Sequence, residues 1–121
     1  MGNRSSQSYY LKTTSTYTLP NDVAENTVYE WVNTENINIA SIWLDLVNIT
    51  QDGTIKLYHK IDGTNYREVD SIPFTVASDS DGFLYGQNFA INSSFKLTYT
   101  ASVAEGATRD LVYCIIYNLA T

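Results

Sequence analysis

Ile37-Asn38-Ile39-Ala40-Ser41-Ile42-Trp43-Leu44-Asp45-Leu46-Val47-Asn48-Ile49 is the stretch on which the reading of the fold turns. Its odd positions run Ile37, Ile39, Ser41, Trp43, Asp45, Val47, Ile49. Its even positions run Asn38, Ala40, Ile42, Leu44, Leu46, Asn48. The density of β-branched residues and the turn residues on either side favour a strand over a helix. Both faces are apolar between Ile42 and Val47, which predicts a central strand covered on both sides. Asn33 to Asn36 precede it as a turn. Gln51-Asp52-Gly53-Thr54 follows as a hairpin turn, with Asp-Gly supplying positive φ angles.

Working outward, Thr54 to Ile61 alternates, with Ile55, Leu57, His59 and Ile61 opposed to Lys56, Tyr58 and Lys60. Asp62-Gly63-Thr64-Asn65 turns the chain into a strand from Tyr66 to about Val76. Pro73 inside that run has no N–H for a ladder, which makes it an edge strand or a broken one. Phe83 to Ile91 is a short strand or two, interrupted at Gly86. Phe95, Leu97 and Tyr99 alternate with polar residues, and Leu111 to Leu119 is the last strand. Towards the N-terminus, Thr27 to Val32 reads as a strand with Val28, Glu30 and Val32 on one face. Tyr9 to Leu19 is Thr- and Tyr-rich and alternates poorly, and Pro20-Asn21-Asp22 breaks it. The chain is therefore expected to be all-β, a single antiparallel β-sandwich of about eight strands. A jelly roll is the first choice and an immunoglobulin-like sandwich the second, because periodicity does not separate them. Ile42, Leu44, Leu46, Leu57, Leu97, Tyr113 and Ile115 are the expected core. Residues 1–22 read as a polar N-terminal arm or first strand, and residues 23–121 as the sandwich. As an arm, residues 1–19 would reach out to a neighbouring subunit.

The chain's 121 residues suit one domain. Charged residues are 17% of it, and Ser, Thr and Asn together number 36, a composition suited to wet strand faces and loops. The net charge is −6, and the seven basic residues are scattered along the sequence. No run of them tracks a phosphate backbone, so neither nucleic acid nor an anionic membrane is an expected partner.

Few residues here perform chemistry. His59 is the lone histidine and Cys114 the lone cysteine. His59 is expected to be a hydrogen-bonded interior residue and Cys114 a small buried hydrophobe, so no catalytic residue and no cofactor is assigned. Asp79-Ser80-Asp81-Gly82 is like the opening of a calcium loop, which makes Asp79 and Asp81 the metal candidates. Ala90 stands where such a loop needs its bidentate Glu, so no metal is expected. Ten Tyr and two Trp invite a sugar-stacking reading through Tyr9, Tyr10, Trp31, Trp43, Tyr58, Tyr66 and Tyr85. Such residues serve protein–protein interfaces more often, and Tyr9, Tyr10, Tyr17, Trp31 and Tyr66 are the expected interface residues.

The runs Ile39-Ala40-Ser41-Ile42-Trp43-Leu44-Asp45-Leu46, Lys60-Ile61-Asp62-Gly63-Thr64-Asn65-Tyr66-Arg67 and Asp79-Ser80-Asp81-Gly82-Phe83-Leu84 carry a family likeness. Through them the chain resembles small virion structural proteins of tailed viruses over roughly residues 37–117. The resemblance implies a non-enzymatic head decoration (cement), minor capsid or tail-associated protein, made in the host cytoplasm and carried on the virion. It implies as partners the chain itself and a major capsid protein, with a homo-oligomer expected and a trimer the natural form at a three-fold axis. Two other readings fit the residues: a carbohydrate- or receptor-binding module of a viral fibre, and a subunit of an extracellular filament.

Overall fold

A computed structural model describes residues 10–32, 37–79, 82–86, 89–91 and 93–119. Among these residues nine strands run in the order β1 (Leu11–Leu19), β2 (Glu25–Trp31), β3 (Ile37–Asp45), β4 (Gly53–His59), β5 (Arg67–Phe74), β6 (Gly82–Tyr85), β7 (Phe89–Ile91), β8 (Phe95–Ala101) and β9 (Arg109–Leu119). One sheet has the order β1-β9-β3-β6, with β7 also pairing β3, and the other has the order β2-β8-β4-β5. Every pairing is antiparallel. β6 and β7 lie along the same side of β3, so they count as one strand broken at Gly86. The expected eight strands are then divided between the two sheets as 1-8-3-6 and 2-7-4-5. That connectivity is a jelly roll and not an immunoglobulin-like arrangement.

Several local expectations are corrected. The strand that begins at Ile37 ends at Asp45, not Ile49. The Asp45 carboxylate accepts the Val47 amide at 3.2 Å, and the Ile49 amide donates to the Leu46 carbonyl, so the chain turns there. β3 is central, but only one of its faces is covered: Ile37, Ile39, Ile42 and Leu44 are buried, while Trp43 is 47% exposed. Asp52-Gly53 is not a hairpin turn, because β3 and β4 belong to different sheets. Gly53 does not adopt positive φ, whereas Gly63 does, at 81°. Gly53 is needed for close approach instead: a Cβ there would lie 2.7 Å from the Thr100 carbonyl and strike the Tyr99 ring. A bulge between Thr27 and Tyr29 breaks the expected alternation of β2, so Val28 is buried while Tyr29 and Trp31 also pack on the core. Cys114 is half-buried on β9, between the buried positions Leu111 and Ile115, and faces away from the core. β5 with Pro73 is an edge strand. Leu11–Leu19 pairs along its whole length with β9 of the same chain, so the segment considered as an outward arm lies, from Leu11 on, in the chain's own sheet.

The core fills the space between the inner faces of β3 and β9 and those of β4 and β8. Ile42, Ile115, Ile55, Leu57, Leu97 and Tyr99 are all at most 3% exposed, and Tyr113 packs half-buried against them. Each buried aliphatic side chain contributes about 1.5–3 kcal/mol relative to leaving it in water. One polar clasp closes an end of the sandwich. Glu105, 4% exposed, accepts the Thr50 amide at 2.9 Å, the Thr50 hydroxyl at 2.7 Å and the Gln51 amide at 2.9 Å. Arg109 Nε stands 3.3 Å from its carboxylate, near enough for charge pairing though not aligned as a hydrogen bond. The clasp ties the β3–β4 connection to the β8–β9 loop, and Gly106 (φ 91°) lets that loop turn immediately after Glu105.

Leu57→Ala should destabilise the fold by about 2–5 kcal/mol in urea unfolding, because it opens a cavity between the sheets. A loss under about half a kilocalorie would contradict the packing. Glu105→Ala, which leaves two amides and the Thr50 hydroxyl without their acceptor and Arg109 without its counter-charge, should cost about 3–5 kcal/mol by the same measurement. A change no larger than a typical surface substitution, about 0.5 kcal/mol, would show that water replaces the carboxylate.

Candidate interaction surfaces

The outer face of the β2-β8-β4-β5 sheet carries a row set by register. Glu30 pairs with Lys96, Lys96 with Tyr58, and Tyr58 with Glu68. Around this row the side chains satisfy one another. The Tyr58 hydroxyl donates to Glu25, whose carboxylate also accepts the Thr98 hydroxyl at 2.7 Å. The Tyr66 hydroxyl donates to Glu30 at 2.6 Å. Lys96 Nζ lies 5.0 Å from the Tyr58 ring centre and 4.7 Å from that of Tyr66, and Lys60 Nζ lies 4.8 Å from the Tyr66 ring. Lys56 pairs with Glu68 at 3.1 Å. Three lysines scattered in sequence thus meet three glutamates on one face.

The electrostatics follow from these contacts. The hydrogen bond from Tyr58 is the main cause holding the Glu25 carboxyl below its ordinary value, with Thr98 adding to it. Burial, and then the bond to Glu25, push the Tyr58 phenol up to about 12. Tyr66 is raised in the same way, by burial first and by Glu30 second.

The outer face of the other sheet is different. Trp43 lies between Leu84 of β6 and Cys114 of β9, with Val112 diagonal to it. Leu84, Val47 and Val112 are exposed beside it. Ser41 Oγ accepts the indole N–H at 2.9 Å and fixes the ring over a shallow groove. A third feature is a cavity of about 260 Å³ in the seam between the sheets, lined by Leu57, His59, Val69, Tyr85, Phe89 and Phe95 among others.

The expected interface residues do not converge. Tyr66 belongs to the charged face. Tyr10 is 65% exposed near Asn38 and Asn118, beside the start of β1. Tyr17 packs partly buried against the core, and Trp31 packs edge-on against Tyr117 at 5.0 Å. Tyr9 lies outside the described residues. Of the residues considered for sugar stacking, the described ones are split between the two sheets, with Tyr58 and Tyr66 on the charged face, Trp43 on the apolar face, Tyr85 in the seam and Trp31 against the core, so they form no single platform. Asp79 spends its carboxylate on the Thr75 amide at 3.0 Å. Asp81 lies outside the described residues, among which no three potential metal ligands cluster. His59 is half-buried in the seam, but the hydrogen bond expected of it is not found at Nε2, which is buried with no partner among the described residues. Desolvation lowers its pKa. Sequence reading missed Glu25, Glu30 and Lys96. The outward alternation of Lys56, Tyr58 and Lys60 was the signal, but its partners are set by strand order.

The class the fold defines is the jelly-roll β-sandwich, and solved structures are similar to the chain over most of its length. A chain in the acid-stable capsid structure of the Helicobacter pylori bacteriophage KHP30 is similar with a TM-score of 0.59 at 10% identity, over 95% of each chain. A chain from Bacillus endospore appendages, a family of disulfide-linked pili, is similar with a TM-score of 0.55 at 17% identity, over 99% of this chain and 97% of that one. A chain from the triple jelly roll and turret assembly of an archaeal virus matches with a TM-score of 0.52 at 9% identity, over 92% of this chain but only 29% of its own length. No protein-family model matches the sequence, and no curated protein matches it.

The Tyr58–Glu25 bond makes a pH prediction. The depressed Glu25 carboxyl contributes stability that is present above its ordinary value of 4.5 and lost as pH falls below it. The raised Tyr58 phenol contributes stability that is present below its ordinary value of 10.0 and lost as pH rises towards about 12. The melting-temperature difference between wild type and Tyr58→Phe should therefore be largest between these limits and shrink on both sides. A difference that does not change with pH would show that the variant loses packing, not this bond.

Proposed function

We propose that the chain is a non-enzymatic virion structural protein, a capsid decoration or minor capsid protein that acts through protein–protein contacts. Its partners are other copies of itself and a major capsid protein. The observation that carries this reading is the end-to-end likeness to a chain of a phage capsid, over 95% of both chains. The outer faces support the reading. One is a preorganised array of tyrosine, lysine and glutamate suited to a wet contact, and the other is an apolar strip around Trp43. A filament subunit is the second reading, supported by the equally complete likeness to the endospore appendage chain. This chain has one cysteine, so a disulfide could link it to only one other protein thiol at a time.

Mass spectrometry of purified particles decides between the two. The virion reading expects the chain at a stoichiometry comparable to the shell protein. Its absence from particles, together with polymerisation of the isolated protein into fibres seen by electron microscopy, would replace that reading with the filament.

A further inference from the structure

We propose that the edge of β1 that pairs with no described strand is a self-association surface, on which β1 of a second copy adds antiparallel so that one sheet runs through two protomers. The inference rests on the self-associating reading above and names its contact. Among the described residues the two sheets end in four edges: β1 and the β6–β7 pair on one, β2 and β5 on the other. Three of these edges carry features that discourage strand addition. β5 contains Pro73, which has no N–H to offer, together with Arg67, Glu68 and Asp70. β2 is bulged between Thr27 and Tyr29 and carries Glu25 and Glu30. β6 and β7 are four and three residues long. β1 has none of these features. It is nine residues long, pairs with β9 without a register shift, contains neither proline nor glycine, and bears one charge, Lys12.

The strand is also complementary to itself. Antiparallel pairing about Ser15 sets Leu11 opposite Leu19 of the second copy, Lys12 opposite Thr18, Thr13 opposite Tyr17 and Thr14 opposite Thr16. Paired positions then share a face, so the inner sides of both sandwiches stay inner. Tyr10 and Leu11, exposed by 65% and 43%, are covered at the ends of the new ladder, Tyr10 against Pro20 of the second copy. Lys12 arrives beside Thr18, whose hydroxyl donates to Asp110 at 2.8 Å, so the one charge on the strand meets a carboxylate. The contact is two-fold and closed, the commonest form of self-association, where shell symmetry led to the expectation of a trimer.

Ser15 is its own cross-strand partner in this contact, and paired Cα atoms in antiparallel strands lie within disulfide range. Ser15→Cys in a Cys114→Ser background should therefore form a covalent dimer on mild oxidation of the assembled protein. Independently, Lys12→Glu should weaken the dimer about tenfold or more in sedimentation, and Asp110→Lys added to it should restore the dimer. Both variants should keep the wild-type circular-dichroism spectrum. An assembled Ser15→Cys protein that does not cross-link through the introduced thiol, together with indifference to the charge reversal, overturns the β1 contact and leaves self-association standing. A wild-type protein that stays monomeric, alone and on particles, overturns the self-associating reading and the contact with it.

Discussion

The packing of the inner faces of β3 and β9 against those of β4 and β8 is the interaction on which the rest of the molecule depends. Ile42 and Ile115 from one sheet and Leu57, Leu97 and Tyr99 from the other supply that interior. Close packing leaves little freedom, because each side chain must fit the space left by its neighbours. Two constraints follow from it. Gly53 must lack a Cβ so that β4 can start against Tyr99. The loops at that end must close without leaving buried amides bare, and the Glu105 carboxylate meets that need with three hydrogen bonds.

With the interior settled, the two outer faces are free to differ. The β2-β8-β4-β5 face satisfies its own charges and hydroxyls, which leaves few groups that gain by leaving water. Its order suits a partner that reads shape and charge, and contributes more to specificity than to raw affinity. The β1-β9-β3-β6 face holds an ordered indole among exposed aliphatic residues, and ends in β1, whose outer edge pairs with no described strand. Burial of apolar surface and completion of ladder hydrogen bonds are both available on that side. The asymmetry leaves one face ordered and polar and the other apolar.

Much of this was legible in the residues. Alternation located the strands, Pro73 marked an edge, and Ile42, Leu44, Leu46, Leu57, Leu97 and Ile115 were recognisable as core and are buried. The reading failed where a local signal has two physical meanings. Asp52-Gly53 has the composition of a tight turn, yet the glycine serves a close approach. Trp43 and Val47 are as apolar as core residues, yet they stand exposed, because apolarity does not say which face a second layer will cover. Glu105 sits in a turn-like Ala104-Glu105-Gly106-Ala107 run that gives no hint of a buried carboxylate.

The sequence by itself determined the class: all-β, one sandwich, and a composition poor in reactive groups. Periodicity and turn chemistry are local, and the chain writes them in consecutive residues. Only the tertiary structure decided the jelly-roll order, the row Glu30–Lys96–Tyr58–Glu68, and which strands lie at the sheet edges. Glu25 and Thr98 are 73 residues apart and meet because β2 pairs with β8. Strand order and register are set by the joint burial of both sheets' inner faces, a condition on the whole chain that no single segment carries.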